Sequence, residues 1–375
     1  MDNMKKRTWA QVSLGAIEHN YRAMREKLAP GTRYMGIVKA NAYGHGAIPV
    51  ARRLSEIGCD YLAVACLDEA VQLRQAGIEL PILILGYTPP EYAADLAEYD
   101  ITQAVGSLEM AQALDHALAG TGKTLKVHFK LETGMGRTGF RVYGDGDIAA
   151  PVRAMALANL APEGVFTHFC VSDGDEDIRD FTYTQLERFK AGWQAIEAQA
   201  GRTFEIHHST NSGAMISFPS TYLDMVRPGV ALYGLYPGPD RGDIDLIPAM
   251  ELKTRVACVE NHEPGDTISY GRTFTVERPS QIAVLPIGYA DGLHRTLSNK
   301  LTVNINGHKV PQVGRICMDM CMADVTGLDV KPGDEVEIFG RTMPCGDVAD
   351  LCGTIHYELV CAVSPRVPRV YVDQV

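Results

Sequence analysis

Ile37-Val38-Lys39-Ala40-Asn41-Ala42-Tyr43-Gly44-His45-Gly46 joins an apolar run to a helical pattern through one lysine and two glycines. The run from Tyr34 to Val38 reads as a buried strand that ends on Lys39. Beyond Gly44 and Gly46, Val50, Leu54 and Ile57 recur at helical spacing. A lysine at the carboxyl end of a buried strand sits where α/β folds gather their chemistry. A partly desolvated amine loses its proton more readily, which makes Lys39 a candidate Schiff-base former. From position alone a surface lysine at a strand end is the commoner case, so the rest of the chain has to decide.

Working outward, a strand-then-helix rhythm repeats. Strands are expected at Tyr34–Lys39, Tyr61–Ala65, Ile82–Gly86, Ile101–Val105, Lys126–Glu132, Gly164–Phe169, Phe204–His208 and Leu223–Arg227. Helical patterns lie between, as in Leu108, Ala111, Leu114 and Leu118, or Leu186, Phe189, Trp193 and Ile196. Eight such units fit a closed parallel (β/α)8 barrel of the TIM type, with an open doubly wound sheet as the alternative. After Gly234 the turn-rich Tyr236-Pro237-Gly238-Pro239 marks a boundary. Short β-rich runs follow at Leu252–Val259, Gln281–Gly288, Leu301–Ile305 and Glu335–Phe339, with helical periodicity nearly absent. The expected organisation is an N-terminal strand, 1–12, packing with the β domain. A barrel follows at 13–238, then a mostly antiparallel C-terminal β domain at 239–375.

Composition narrows the partners. A formal charge of −11 argues against nucleic acid or an anionic membrane surface. Nine cysteines without a CxxC pair read as reduced thiols, and with no export signal in view the expected location is cytoplasmic. No metal site is expected, since Cys317 and Cys321 lack the company of further ligands.

In a barrel, the strand ends collect Lys39 and Tyr43, Lys130 and Arg137, His168, Asn211 and Ser212, and Arg227. Any one of these is more often structural; together they are less easily dismissed. Gly229 and Gly234 free backbone N–H groups to approach an anion, and Ser212 adds a hydroxyl. An imine-forming lysine beside a phosphate cradle suggests pyridoxal phosphate. Lys130 shares a strand face with His128 and Glu132, and a buried lysine near Arg137 is costly. It is deprotonated, paired with Glu132 or chemically changed.

Seven runs, in order, resemble the alanine racemase family across nearly the whole chain. They are Val38–Gly46, Glu132–Arg137, Val226–Gly229, Ser269-Tyr270-Gly271, Gly288–Gly292, Gly314–Asp319 and Arg366–Arg369. The resemblance implies pyridoxal 5'-phosphate held as an imine by Lys39, which also serves as one catalytic base. It implies that Tyr270 is the second base, contributed by the partner subunit of a head-to-tail homodimer. Tyr43, Ser212, Gly229, Val230 and Tyr357 match the phosphate cradle, with Asn211 among the cofactor-binding residues. Arg227 matches the partner of the pyridine nitrogen, and His168 the link between Arg227 and Tyr270. Arg137 matches the contact to the cofactor phenolic oxygen and the substrate carboxylate, and Lys130 a position that is carbamylated in many members. Met318 and Asp319 match the substrate-side wall, again from the partner, while Asp173, Tyr289, Arg295 and Arg315 match the entrance. His207-His208-Ser209-Thr210 and Cys170-Val171-Ser172-Asp173 depart from the family's usual pattern.

The resemblance thus implies interconversion of L- and D-alanine, supplying D-alanine for peptidoglycan. A serine or broad-specificity racemase is the nearest rival, because an apolar pocket rejects an added hydroxyl only weakly. An amino-acid decarboxylase of the same architecture and a non-enzymatic carrier of the cofactor are rivals of other classes. The tyrosine of Ser269-Tyr270-Gly271 speaks against the first, and the large β domain against the second.

Overall fold

The computed structural model describes residues 7–375, so residues 1–6 of the expected N-terminal segment lie outside the described residues. The chain divides into two compact units. One comprises Ile17–Ala42 and Ala47–Ile247, and the other the segment ending at Ala16, Tyr43–Gly46 and Pro248–Val375.

The first unit is a closed barrel. Its strands are Arg33–Ile37, Tyr61–Val64, Ile82–Ile84, Ile101–Val105, Leu125–Glu132, Leu160–Phe166, Ile206–His208 and Met225–Val226. Each pairs in parallel with its neighbours. The pairing of Ile101–Val105 with Leu125–Glu132 closes the ring, which excludes the open sheet. Tyr61–Val64 and Ile82–Ile84 are apolar throughout because both faces are covered, one by side chains filling the barrel and one by helices, whereas Leu125–Glu132 and Ile206–His208 carry polar side chains as well. In Leu108–Leu118, Leu108, Ala111, Leu114 and Leu118 are the buried residues, as their spacing requires, and Ser107 caps the helix by accepting from the Met110 N–H.

The second unit carries a nine-stranded sheet. Across it the order is Cys258–His262, Ser280–Leu285, Cys321–Asp324, His308–Val313, Thr302–Ile305, Glu335–Phe339, Met250–Arg255, Trp9–Ser13 and Arg369–Val372. All neighbours are antiparallel except the last pair. The run expected at Leu252–Val259 is two strands. Between Arg255 and Cys258 the chain leaves Glu335–Phe339 and takes Ser280–Leu285 as its partner. Two helices, Cys345–Cys352 and His356–Cys361, correct the expectation that this region has almost none. They are too short for a periodic pattern to stand out, and only Gly353, left-handed at φ 71°, marks the end of the first. Among the described residues no helix is long and apolar enough to cross a membrane.

Candidate active site

The first strand of the barrel stops at Ile37, two residues before the lysine expected to end it. Lys39 instead opens a turn in which Ala40, Asn41, Ala42 and Tyr43 all have φ between 52° and 55°. A left-handed residue other than glycine costs about 1–2 kcal/mol, so four in a row persist only where the surroundings impose them. Here they do. The Glu69 carboxylate accepts from the Ala40 N–H at 2.6 Å and the Ala65 N–H at 2.8 Å. Asn41 Oδ1 accepts from the Ala47 N–H, and the Ala42 N–H reaches the Val38 carbonyl. In the second unit, Gly44 and Gly46 leave the turn against Val360 and Tyr371. A Cβ on Gly46 would lie 1.9 Å from the Tyr371 hydroxyl.

Around the barrel mouth the chemistry is cationic. Lys130 is buried and donates to Thr138 Oγ1 at 2.6 Å. Burial pushes its amine down to about 8, helped by Arg137, Arg227 and Lys39 and opposed by Glu132. Glu132 holds the following loop, accepting from the N–H groups of Gly134, Gly136 and Arg137. His168 is held well below the ordinary imidazole value by burial and then by the same cations, so it is neutral.

Arg227 is buried and donates from Nη2 to the carbonyls of Thr167 at 2.8 Å and Ser209 at 3.3 Å, and to His168 Nδ1 at 3.5 Å. Its Nη1 donates to His208 Nδ1 at 3.0 Å. Burial pushes the guanidinium down to about 9, so it keeps its proton near neutrality. The polar run His207-His208-Ser209-Thr210 thereby acquires a structural account. His208 accepts from Arg227, Ser209 and Thr210 donate to the Thr221 carbonyl, and His207 meets Asp224 and Glu197. Asn211 caps the helix Ser212–Ser217, and Ser212 Oγ accepts from the N–H groups of Gly229 and Ala231 at 2.8 and 3.3 Å, with Val230 between them. Asp173 lies in the exposed turn beyond, its backbone against Gly213 and Gly238.

In the second unit, Tyr270 stands 70% exposed on a turn whose backbone is also left-handed at Ser269 (φ 66°), Gly271 (72°) and Arg272 (50°). Ser269 Oγ anchors that turn on the Arg315 carbonyl at 2.6 Å, with Cys317 Sγ at 3.4 Å. Met318 is exposed, and its carbonyl accepts from the Ala290 N–H. Asp319 accepts from Arg366 at 2.7 Å, and buried Asp291 ties Arg7 and Arg366 to the same corner. Tyr289 and Arg295 lie on neighbouring short 3-10 turns. Tyr43 is buried and its ring centre lies 6.2 Å from that of Tyr357. Sequence reasoning did not single out Glu163, or give a role to His128 and His208, which lie behind Arg227.

Residues 12–237 match the family model "Alanine racemase, N-terminal domain", and residues 249–371 match "Alanine racemase, C-terminal domain". The chain is 46% identical over 373 residues to the alanine racemase of Desulforamulus reducens, covering 98% of this chain and all of that one. A solved alanine racemase of Clostridium difficile 630 superposes with a TM-score of 0.93 at 40% identity, covering 98% of this chain and 96% of that one. The alanine racemase of Bartonella henselae, solved with covalently bound pyridoxal phosphate, gives a TM-score of 0.86 at 30% identity over 98% of this chain and 99% of that one. The chain belongs to the alanine racemase family, a family of isomerases.

Proposed function

We propose that this chain interconverts L- and D-alanine with pyridoxal 5'-phosphate attached at Lys39, as a cytoplasmic homodimer supplying D-alanine for peptidoglycan. The observation that carries the reading is the convergence of Lys39, Lys130, Arg137 and Arg227 on His168 at one barrel mouth, with Glu132 opposing the cations at Lys130. Such a mouth calls for an anion. An aldehyde bearing a phosphate fits this donor set. The lysine would take the aldehyde, and Ser212 with the Gly229 and Val230 backbone would take the phosphate.

When bound, the cofactor supplies an electron-withdrawing ring that acidifies the substrate α-carbon. The protein then handles one proton on two faces. Lys39 Nζ takes or returns it on one side, and Tyr270 Oη of the partner subunit does so on the other. Arg227, which keeps its own proton near neutrality, would pair with the ring nitrogen of the bound cofactor without giving one up; that would keep the electron sink weak and favour reprotonation over transamination. Arg137 orients the substrate carboxylate, and neutral His168 joins Arg227 to the phenol. A Lys130 amine near 8 is partly unprotonated at neutral pH. It attacks carbon dioxide with loss of a proton, and the resulting carbamate is an anion that orients Arg137. The dimer is supported by the apolar surface around Tyr270. Met318, Met320 and Tyr289 are exposed there, and a groove of about 420 Å³ runs over Ile268, Ile282, Val284 and Met322.

Purified protein is expected to absorb in the visible as a lysine-bound cofactor and to racemise alanine in both directions. A kcat/KM clearly higher for serine would overturn the substrate, and absence of both absorbance and racemisation would overturn the reading.

A further inference from the structure

Six polar side chains form one column inside the barrel, from the amino ends of the strands to the mouth. Tyr61 opens Tyr61–Val64 and Thr102 is the second residue of Ile101–Val105, while His208 closes Ile206–His208 and Arg227 follows Met225–Val226. Arg227 Nη1 lies 3.0 Å from His208 Nδ1, His208 Nε2 lies 2.8 Å from His128 Nδ1, and His128 Nε2 lies 3.0 Å from Glu163 Oε2. The Tyr61 hydroxyl donates to the same oxygen at 3.0 Å, so its own oxygen accepts from Thr102 at 2.9 Å.

Every proton in this column is dictated by its ends. A guanidinium only donates, so His208 Nδ1 must be bare. Burial holds both imidazoles below their ordinary value, so each is neutral and carries one proton. His208 therefore carries it on Nε2 and donates to a bare His128 Nδ1. His128 in turn donates from Nε2 to Glu163 Oε2, and the bonds from His128 and Tyr61 favour the carboxylate and hold it below the usual range. The packing is built for this. A Cβ on Gly164 would meet the His128 ring at 2.7 Å, and His208 stacks on Phe166 at 4.9 Å and 12°, with Arg227 5.4 Å over the same ring.

We propose that Glu163, acting through His128 and His208, is a positioning residue for Arg227, because it fixes both imidazole tautomers so that a bare nitrogen meets the guanidinium. Reversing the column would point the His208 N–H at Arg227, donor against donor. The last step, from Arg227 to the cofactor ring, rests on the proposed function; the tautomers do not.

The test is nitrogen NMR of the purified, cofactor-loaded protein labelled at histidine, with and without substitutions at Glu163. Both His128 and His208 are expected as the neutral Nε2–H tautomer. E163Q keeps an acceptor for His128 and should hold those tautomers, with kcat within about threefold of wild type. E163L should release the His128 tautomer, shift the cofactor absorbance band and lower kcat about 10- to 100-fold with KM for alanine little changed. An Nδ1–H ring or an imidazolium at either position in the wild type would overturn the inference, as would E163L with wild-type spectra and kcat. The wild-type spectrum needs no variant, so it remains decisive if E163L does not fold. A protein with the expected tautomers but no racemisation would refute the proposed function and leave the column standing.

Discussion

The two groups assigned to the substrate proton sit on turns that are alike in backbone and opposite in surroundings. Both Lys39 and Tyr270 adjoin runs of left-handed residues. The lysine turn is fastened from several sides, by Glu69, Asn41 and the tight fit of Gly46 on Tyr371. The tyrosine turn hangs on the Ser269 hydroxyl and leaves its ring 70% exposed. The lysine turn is thus held within its own chain, whereas the tyrosine ring is presented outward. A strained backbone that holds an exposed phenol makes physical sense if a second copy receives it.

The sharpest way to break this contrast is at the bases. Lys39→Ala should remove the visible cofactor absorbance together with activity; a reducible imine surviving in that variant would move the attachment elsewhere. Tyr270→Phe should keep the absorbance and cost about 10²–10⁴-fold in kcat. Isotope exchange at the α-carbon should then fall mainly in one direction, and equal loss in both would argue against separate faces.

The turns themselves give the next effect. Gly46→Ala should lower unfolding stability in urea by about 1–3 kcal/mol from its backbone alone, with the Tyr371 collision added. Gly271→Ala, where the nearest atom would be Arg315 Nε at 3.1 Å, should cost about 1 kcal/mol and act instead on kcat. Equal stability losses would erase the distinction between a fastened turn and a presented one.

The smallest effect concerns pH. Lys130 is pushed from the ordinary lysine value to about 8, so between those values the unfolded chain binds more protons than the folded one. Stability from this group therefore rises as pH climbs from about 8 towards the ordinary value and is lost below it. Lys130→Met should flatten the dependence of Tm on pH in that window. A slope unchanged by the substitution would mean that the amine is not the group responsible. Saturating the wild type with carbon dioxide should flatten it too.

Much of the barrel was legible because several of its strands, such as Tyr61–Val64 and Ile82–Ile84, are short apolar runs and its helices bury residues three and four apart. Closure was not, since periodicity carries no information on which edges meet; the pairing of Ile101–Val105 with Leu125–Glu132 supplies it. The turn after Lys39 was illegible for another reason. Alanine and asparagine carry no strong signature of four successive left-handed residues, and only Gly44 and Gly46 hinted at it. Individual site residues were visible as types at strand ends, with the family resemblance giving their roles. The column behind Arg227 was half visible. His128 alternates with Lys130 along one strand, but Glu163 and His208 lie far apart in sequence and meet it only through barrel geometry. The Glu163-Gly164 pair was the available signal, its glycine required by a ring it could not announce.

The most direct test of a site completed across subunits is complementation. Lys39→Ala and Tyr270→Ala proteins, each inactive alone, would be mixed, dissociated and reassociated, and alanine racemisation measured. If each site takes its lysine from one chain and its phenol from the other, mixed dimers regain one intact site, and an equal mixture recovers about a quarter of wild-type turnover. A mixture that forms mixed dimers yet stays as inactive as its components would contradict the account.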